Sequence, residues 1–227
     1  MSNDLDFSTV LASTVHDMKN SLGMLLNSLD EVRDSVGEEV RGARPFTTLE
    51  YEAQRVHGDL VQLLSLYRLS EQKLSATVEE QLVHDFLDEQ QAHHRRLLEG
   101  LGITLEVHTE PDAEEGYFDP QLVSGVLTNV INNAIRYAGS QLQLNARAED
   151  GWLVLSVEDD GPGYPEHMLE VDFSGTERID FSTGSTNLGL YFAERMAGMH
   201  TAGDRQGFTR LRNGGDLGGS VFELWLP

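Results

Sequence analysis

The strongest constraint on the fold is a change of hydrophobic period near Leu74. Before it, apolar or small residues step by three and four: Phe7, Leu11, Thr14, Met18, Leu22, Leu25, Leu29, Val32 and Val36, then Leu49, Ala53, Val56, Leu60, Leu63 and Tyr67. Such steps keep side chains on one face of an α-helix. Residues 42–48, GARPFTT, separate the two series with Gly and Pro. Residues 1–75 are therefore expected to form an antiparallel helical hairpin. A lone hairpin leaves much of its apolar stripe in water. Pairing with a second copy into a four-helix bundle covers it, so a homodimer is expected.

After Leu74 the rhythm becomes mixed. GITLEVHT (102–109) and LQLNARA (142–148) alternate as strands do, and GWLVLSVED (151–159) reads as a more buried strand. Residues 120–138 and 186–200 read as helices, and FTRLRN and GSVFELWLP close the chain as strands. This irregular alternation predicts an α+β sandwich over 76–227, one sheet layer against one helix layer. The expected architecture is thus a helical hairpin followed by an α/β sandwich domain.

Composition narrows the function classes. A formal charge of −22 repels phosphate backbones and anionic lipid heads, which argues against direct nucleic-acid binding. A partner protein, or a nucleotide carried with a divalent cation, fits better. The absence of cysteine excludes disulfides and thiolate metal sites. No apolar run reaches the roughly 18 residues of a membrane span. The start, MSNDLDF, lacks the features of a signal peptide, so a cytoplasmic location is expected.

Helix 120–138 carries a costly polar stripe. Asparagine is a poor helix former, yet Asn129, Asn133 and Arg136 fall at i, i+4 and i+7 on one face. Leu127, Val130, Ile131 and Ala134 are left to pack on the sheet. The stripe is either a solvated face or a site, and solvated faces usually use Glu, Lys or Gln. Next, VEDDGPGYP (157–165) ends a buried strand in an acid and opens into Asp-x-Gly-x-Gly. This is either a glycine-rich turn or a place where backbone approaches a planar ligand. Asp159 is an acceptor suited to an exocyclic amino group. Finally, GSTNLGL (184–190) opens a helix with small residues and free N–H groups, an anion site in type.

In this order and spacing the three segments resemble the ATP-binding domain shared by sensor histidine kinases, gyrase-type ATPases and Hsp90-type chaperones. The resemblance covers about residues 78–227. It implies ATP contacts from Asn129, Asn133, Arg136, Tyr137, Asp159, Gly161, Gly163, Asn187, Leu188, Gly189 and Leu190, with Mg2+ held at Asn133 and adenine read by Asp159. Two departures stand out. Asn187 occupies a position usually held by glycine, and the 164–184 segment has Phe173 and Phe181 but no two-phenylalanine box.

The first helix carries HDMKN, four polar residues among five. His16 lies roughly 200° around the helix from Thr14 and from Met18, at about 100° per residue, so it points to solvent. HDMKNSL resembles the phosphoacceptor box of histidine kinases of the nitrogen-regulator type, with Ser21 where many relatives have proline. The resemblance implies that a His16 ring nitrogen takes the γ-phosphate while Asp17 bonds the other and fixes the tautomer. It also implies a role for Asn20 in the reverse activity, holding water in line with a partner's phospho-aspartate. His93 and His94 sit among charged residues with no metal-like spacing and are expected on the surface, as are His57 and His108.

These readings converge on a dimeric histidine protein kinase that uses ATP and Mg2+. It would phosphorylate His16 and pass the group to an aspartate on a response-regulator receiver domain. Input would come from a separate sensor protein, or the sequence is a fragment of a longer kinase. Two alternatives remain at this point: a phosphotransfer adaptor with an impaired ATP domain, and an ATPase of the gyrase or chaperone type.

Overall fold

The computed structural model describes residues 7–37, 40, 44–169 and 188–227, with the side chains of 7–12 and 44 outside the described set. The chain forms two compact units, Met1–Ser75 and Ala76–Pro227.

The first unit pairs α1 (Phe7–Ser35) with α2 (Arg44–Ser70). The expected break at 42–48 lies partly outside the described residues, and α2 already runs from Arg44, ahead of the Leu49 start that the pattern suggests. Pro45 sits in the first helical turn, where its missing N–H costs nothing. The buried face only partly follows the stripes read from the sequence: Leu29 and Ala53 belong to them, and Val15 and Leu64 do not. Val15 and Leu29 of α1, and Ala53 and Leu64 of α2, are buried within the hairpin. Arg33 fixes the register by donating from one Nη1 to both carboxylate oxygens of the buried Glu50, at 2.9 Å each. A second set stays exposed: Met18, Leu25 and Val32 on α1, and Leu49, Val56 and Leu63 on α2. Both triplets repeat every seven residues.

The second unit is built on a five-stranded mixed sheet. Its strands are β2 (Thr104–Thr109), β4 (Gln141–Glu149), β5 (Trp152–Asp159), β8 (Phe208–Asn213) and β9 (Ser220–Leu226), in the order β2-β4-β5-β9-β8. β2 runs parallel to β4, and the other pairs are antiparallel. β1 (Glu79–Leu82) pairs separately with β3 (Glu115–Phe118), and β6 (Thr201–Ala202) with β7 (Arg205–Gln206). α3 (Val83–Leu101), α4 (Pro120–Ile135) and α6 (Leu188–Ala197) supply the helix layer, with a short α5 at Glu166–Leu169.

Register decides which residues share the core face. Leu144 pairs with Val157, and Val157 with Phe222; Ala146 pairs with Leu155, and Leu155 with Leu224. These, with Leu127, Ile131, Leu87, Leu98 and Met196 from the helices, are almost fully buried. Asp159 pairs with Leu142 and so belongs to the same, helix-facing side. The opposite face buries charge. Glu223 accepts from Arg147, Arg212 and the Trp225 indole at 3.0–3.1 Å. Burial pushes its carboxyl up, but those donors outweigh it and hold the group below the usual range.

α4 and α6 end close to where the pattern places them, with α4 stopping at Ile135 rather than Ala138. α3, β1, β3, β6 and β7 add to the elements read from the sequence. His94 corrects an expectation. It is buried in α3, not at the surface, with its Nδ1 donating to the Gln90 carbonyl at 2.8 Å and its Nε2 without a partner. Among the described residues no helix is long and apolar enough to cross a membrane.

Candidate functional site

In the second unit the candidate residues lie on α4, at the end of β5 and at the start of α6. α4 begins sharply because Asp119 caps it, its Oδ1 accepting from the N–H groups of Gln121 and Leu122, with Pro120 at the first position. The apolar side of α4 sinks into the core, which turns the asparagine stripe outward. Asn129 is buried and donates its amide to the Gly189 carbonyl oxygen at 2.8 Å. Asn133, one turn on and exposed, donates to Asn129 Oδ1 at 3.4 Å. The three residues thus bind the middle of α4 to the first turn of α6. A Cβ on Gly189 would fall 2.5 Å from Asn129 Oδ1, so this contact requires glycine.

Since Asn133 spends its amide nitrogen on Asn129, its Oδ1 is the atom left to face outward. An amide oxygen suits a hard cation such as Mg2+. Among the described residues no group of three or more His, Asp or Glu side chains could hold a metal. A magnesium ion held at this oxygen would take phosphate oxygens and water among its other ligands, its usual arrangement. Arg136 and Tyr137 are exposed just past the helix end, the guanidinium 5.6 Å from the tyrosine ring centroid.

Asp159 sits at the end of β5, almost fully buried. Its Oδ1 accepts from the N–H of Gly161 at 2.8 Å and from the N–H of Ser220 at 3.2 Å, and the Ser220 hydroxyl donates to Oδ2. A carboxylate offers about four acceptor directions. Three are used here, which fixes the group and leaves one direction for a ligand donor. Gly161 lies tight against this corner: a Cβ there would be 2.5 Å from the Tyr137 carbonyl oxygen and 2.8 Å from Asp159 Oδ1. Gly219 donates its N–H to the Asp159 carbonyl at 3.0 Å and has no room for a side chain.

Beyond it the chain is pinned twice. Gly163 has φ +82°, a left-handed conformation that favours glycine. Asn213 then grips the Tyr164 backbone, its Oδ1 accepting from the N–H at 2.6 Å and its Nδ2 donating to the carbonyl at 2.9 Å. Burial pushes the Tyr164 phenol well above its ordinary range, Asp159 adds to this, and the hydrogen bond with Ser220 opposes it, so the phenol stays protonated. Asp160, next in the chain, has different partners from Asp159. It accepts from the N–H groups of Gly139, Ser140 and Gln141 and locks the turn before β4.

Of the residues singled out in the sequence, the structure brings Asn129, Asn133 and Gly189 together in one set of contacts and Asp159 and Gly161 in another. Leu190 is buried and Leu188 half-buried in the first turn of α6, as structural support. Asn187, Phe173 and Phe181 lie outside the described residues. Sequence reasoning missed Ser220, Asn213 and Tyr164. It also missed a buried brace at the far ends of the two helices. His200 Nε2 accepts from the Asp119 N–H at 3.0 Å while its Nδ1 donates to the Met196 carbonyl at 3.0 Å. Asp119 Oδ2 in turn accepts from the Thr77 N–H at 2.7 Å, close to the boundary between the two units. The Gly-Gly-Ser step at 218–220 was the one available sign of Ser220.

The first unit carries its own group of candidate residues, on α1. His16 is half exposed. Its Nδ1 is 3.3 Å from Asn20 Nδ2 and 3.7 Å from Asp17 Oδ1. Lys19 is close enough to His57 on α2 for its charge, with burial as the larger cause, to lower that imidazole's pKa.

A buried carboxylate behind a Gly-x-Gly turn, facing an asparagine-bearing helix over a mixed sheet, defines a nucleotide-binding α/β sandwich. Residues 118–227 match the family of histidine kinase-, DNA gyrase B- and HSP90-like ATPases. Over 227 residues the chain is 26% identical to the sensor histidine kinase CpxA of Escherichia coli K12, covering 96% of this chain and 46% of the relative. It is 32% identical over 114 residues to the sensor histidine kinase component HK1 of Mycobacterium tuberculosis, covering 50% of this chain and 67% of that protein. The fold is shared with the Acinetobacter baumannii histidine kinase AdeS, with a TM-score of 0.58 at 20% identity, covering 93% of this chain and 96% of that chain. The chain belongs to the sensor histidine kinase family. It spans about half the length of the curated relatives it matches first.

Proposed function

We propose that the chain is the catalytic core of a two-component histidine protein kinase that phosphorylates its own His16 from Mg-ATP and passes the phosphoryl group to an aspartate of a response-regulator receiver domain. The observation that carries this reading is the pairing, in one chain, of the Asp159 corner with an exposed histidine whose Nδ1 faces an aspartate. Asp159 reads the adenine amino group with its remaining acceptor direction. Asn133 presents its amide oxygen toward the phosphates, where Mg2+ would offset charge on the transferring group. The His16 ring nitrogen farther from the helix forms the new bond to Pγ. The bond from Pγ to the bridging oxygen breaks, and its electron pair leaves with ADP. Asp17, accepting from Nδ1–H, stabilises the charge that develops on the ring.

The exposed heptad triplets on α1 and α2 support a homodimer through the hairpin. Asp17 and Asn20, three residues apart, fit a further activity in which the amide positions water against a partner's phospho-aspartate. The stimulus would reach the core from a separate input protein or from segments of a longer chain. Incubation with radiolabelled ATP tests the kinase reading. Label that resists base and is released by acid is the expected phosphoramidate. No ATP affinity in calorimetry would instead support the phosphotransfer-adaptor reading. Steady ATP hydrolysis without phosphoprotein would support the non-kinase ATPase.

A further inference from the structure

Two side chains on α1 reach for one ring nitrogen. Asn20 Nδ2 lies 3.3 Å from His16 Nδ1, and Asp17 Oδ1 lies 3.7 Å from the same atom. An amide nitrogen can only donate, and an ionised carboxylate can only accept. A neutral imidazole cannot satisfy both with one nitrogen. The Asn20 bond needs a bare Nδ1, which puts the ring proton on Nε2. The Asp17 bond needs Nδ1–H, which leaves Nε2 with its lone pair free. The two neighbours therefore select opposite tautomers of His16. Only the Asp17 tautomer can form a bond to phosphorus through Nε2.

We propose that Asn20 is a positioning residue that holds His16 in the unreactive tautomer, and that release of this bond to Asp17 switches the histidine on. This deepens the kinase reading and rests on His16 as the phosphoacceptor. The arrangement is local: Asn20 is one helical turn from His16, so the bond is made and broken by side-chain rotation within an intact helix. Asp17 and Asn20 are both exposed, so neither is committed to the hairpin core. Turning the Asn20 amide over would present Oδ1 and join Asp17 in favouring the reactive form. An aspartate at position 20, with acceptors only, fixes that limit with almost no change of shape. In the transfer step Nε2–P forms, the Pγ–O bond to ADP breaks with its electron pair going to ADP, and the Nδ1 proton is shared with Asp17. The step is thus closed to a ring that carries its proton on Nε2.

The test uses the full chain labelled with 15N, at a pH well above the ordinary imidazole range. Ring nitrogen shifts of His16, assigned by loss in His16→Gln, report the tautomer ratio. Initial rates of phosphohistidine formation are measured beside them. Asn20→Asp should move the ratio toward Nδ1–H and raise the initial rate by about threefold to tenfold, the inverse of the competent fraction in the unaltered protein. Asn20→Ala should move both in the same direction by less. Helicity by circular dichroism should not change. A ratio that stays at the unaltered value in Asn20→Asp overturns the proposal, and so does a shifted ratio with a slower rate. A shifted ratio with no phosphohistidine in any variant upholds the tautomer selection and removes the kinase reading instead.

Discussion

Asn129 on α4 donates its side-chain amide to the main-chain carbonyl of Gly189 on α6 at 2.8 Å, joining the two helices that flank the nucleotide site across 60 residues of sequence. Both the donor's burial and the absence of a side chain on the acceptor are required. Asn129→Leu should leave the Gly189 carbonyl without this partner and cost on the order of 1–3 kcal/mol. Gly189→Ala should force a Cβ against Asn129 Oδ1 and act in the same direction. Urea unfolding of the two variants, with ATP calorimetry beside it, measures both consequences. A weaker ATP affinity is expected in each.

Asp159 offers a cleaner separation of binding from folding. In Asp159→Asn the remaining oxygen can still accept from Gly161 and Ser220 N–H, and the serine hydroxyl can turn to accept from the new amide. The fold should survive. The site loses its acceptor for an exocyclic amino group, and rejection of a ligand through a mismatched polar group is a large effect. ATP affinity should fall by at least about tenfold, by the cost of an unpaired buried group. Isothermal titration with ATP is the check, and unchanged affinity would mean that Asp159 does not read the base.

His94 gives the second unit a built-in acid sensitivity. Burial lowers its pKa to about 4, with the Gln90 carbonyl opposing and His93 adding to the effect. In the unfolded chain the imidazole titrates near 6.5. Above that pH the ring is neutral in both states and contributes no pH dependence. As pH falls from about 6.5 to about 4 the unfolded chain binds a proton that the folded chain refuses, so stability falls, by on the order of 3 kcal/mol in all. His94→Leu should flatten this part of the profile and hold neutral-pH stability within about 1 kcal/mol, because the orphaned Nε2 disappears with the ring. Denaturant titrations across that pH window decide it.

The exposed triplets Met18, Leu25, Val32 and Leu49, Val56, Leu63 predict a dimer at micromolar concentration. Leu25→Glu would bury an unpaired charge in the seam of that dimer, at a cost of several kcal/mol. Light scattering should show a dimer for the unaltered chain and a monomer for the variant, with helicity retained. A monomeric parent protein would remove the four-helix bundle from the account.

How much of this was legible in the sequence depended on distance along the chain. Asp119–Pro120 announces a helix start locally, and the asparagine spacing on α4 is a one-helix pattern, so both could be read. β4 and β5 show their burial as alternation and as a continuous run. α3 escaped because Gln90 and His94 occupy two of its buried positions and break the apolar stripe of Val83, Phe86, Leu87, Leu97 and Leu98. For the same reason His94 read as a surface residue. The partners of Asp159 are split between Gly161, two residues away, and Ser220, 61 residues away. The first is a motif, while the second exists only because β9 pairs with β5. On α1 the helical period could be read, but the stripe chosen ran through Thr14 and the exposed Met18, Leu25 and Val32 and passed over the buried Val15, because spacing alone does not say which of two adjacent apolar rows faces α2.

The central claim is that His16 is the phosphoacceptor for ATP bound at the Asp159 corner. Incubation of the unaltered chain and of His16→Gln with Mg2+ and radiolabelled ATP, followed by mapping of the label under non-acidic conditions, tests it most directly. The account predicts acid-labile label on His16 in the unaltered chain, and none in His16→Gln although that variant keeps its fold and its ATP affinity. Label of undiminished extent in His16→Gln, or label on another residue of the unaltered chain, would contradict it.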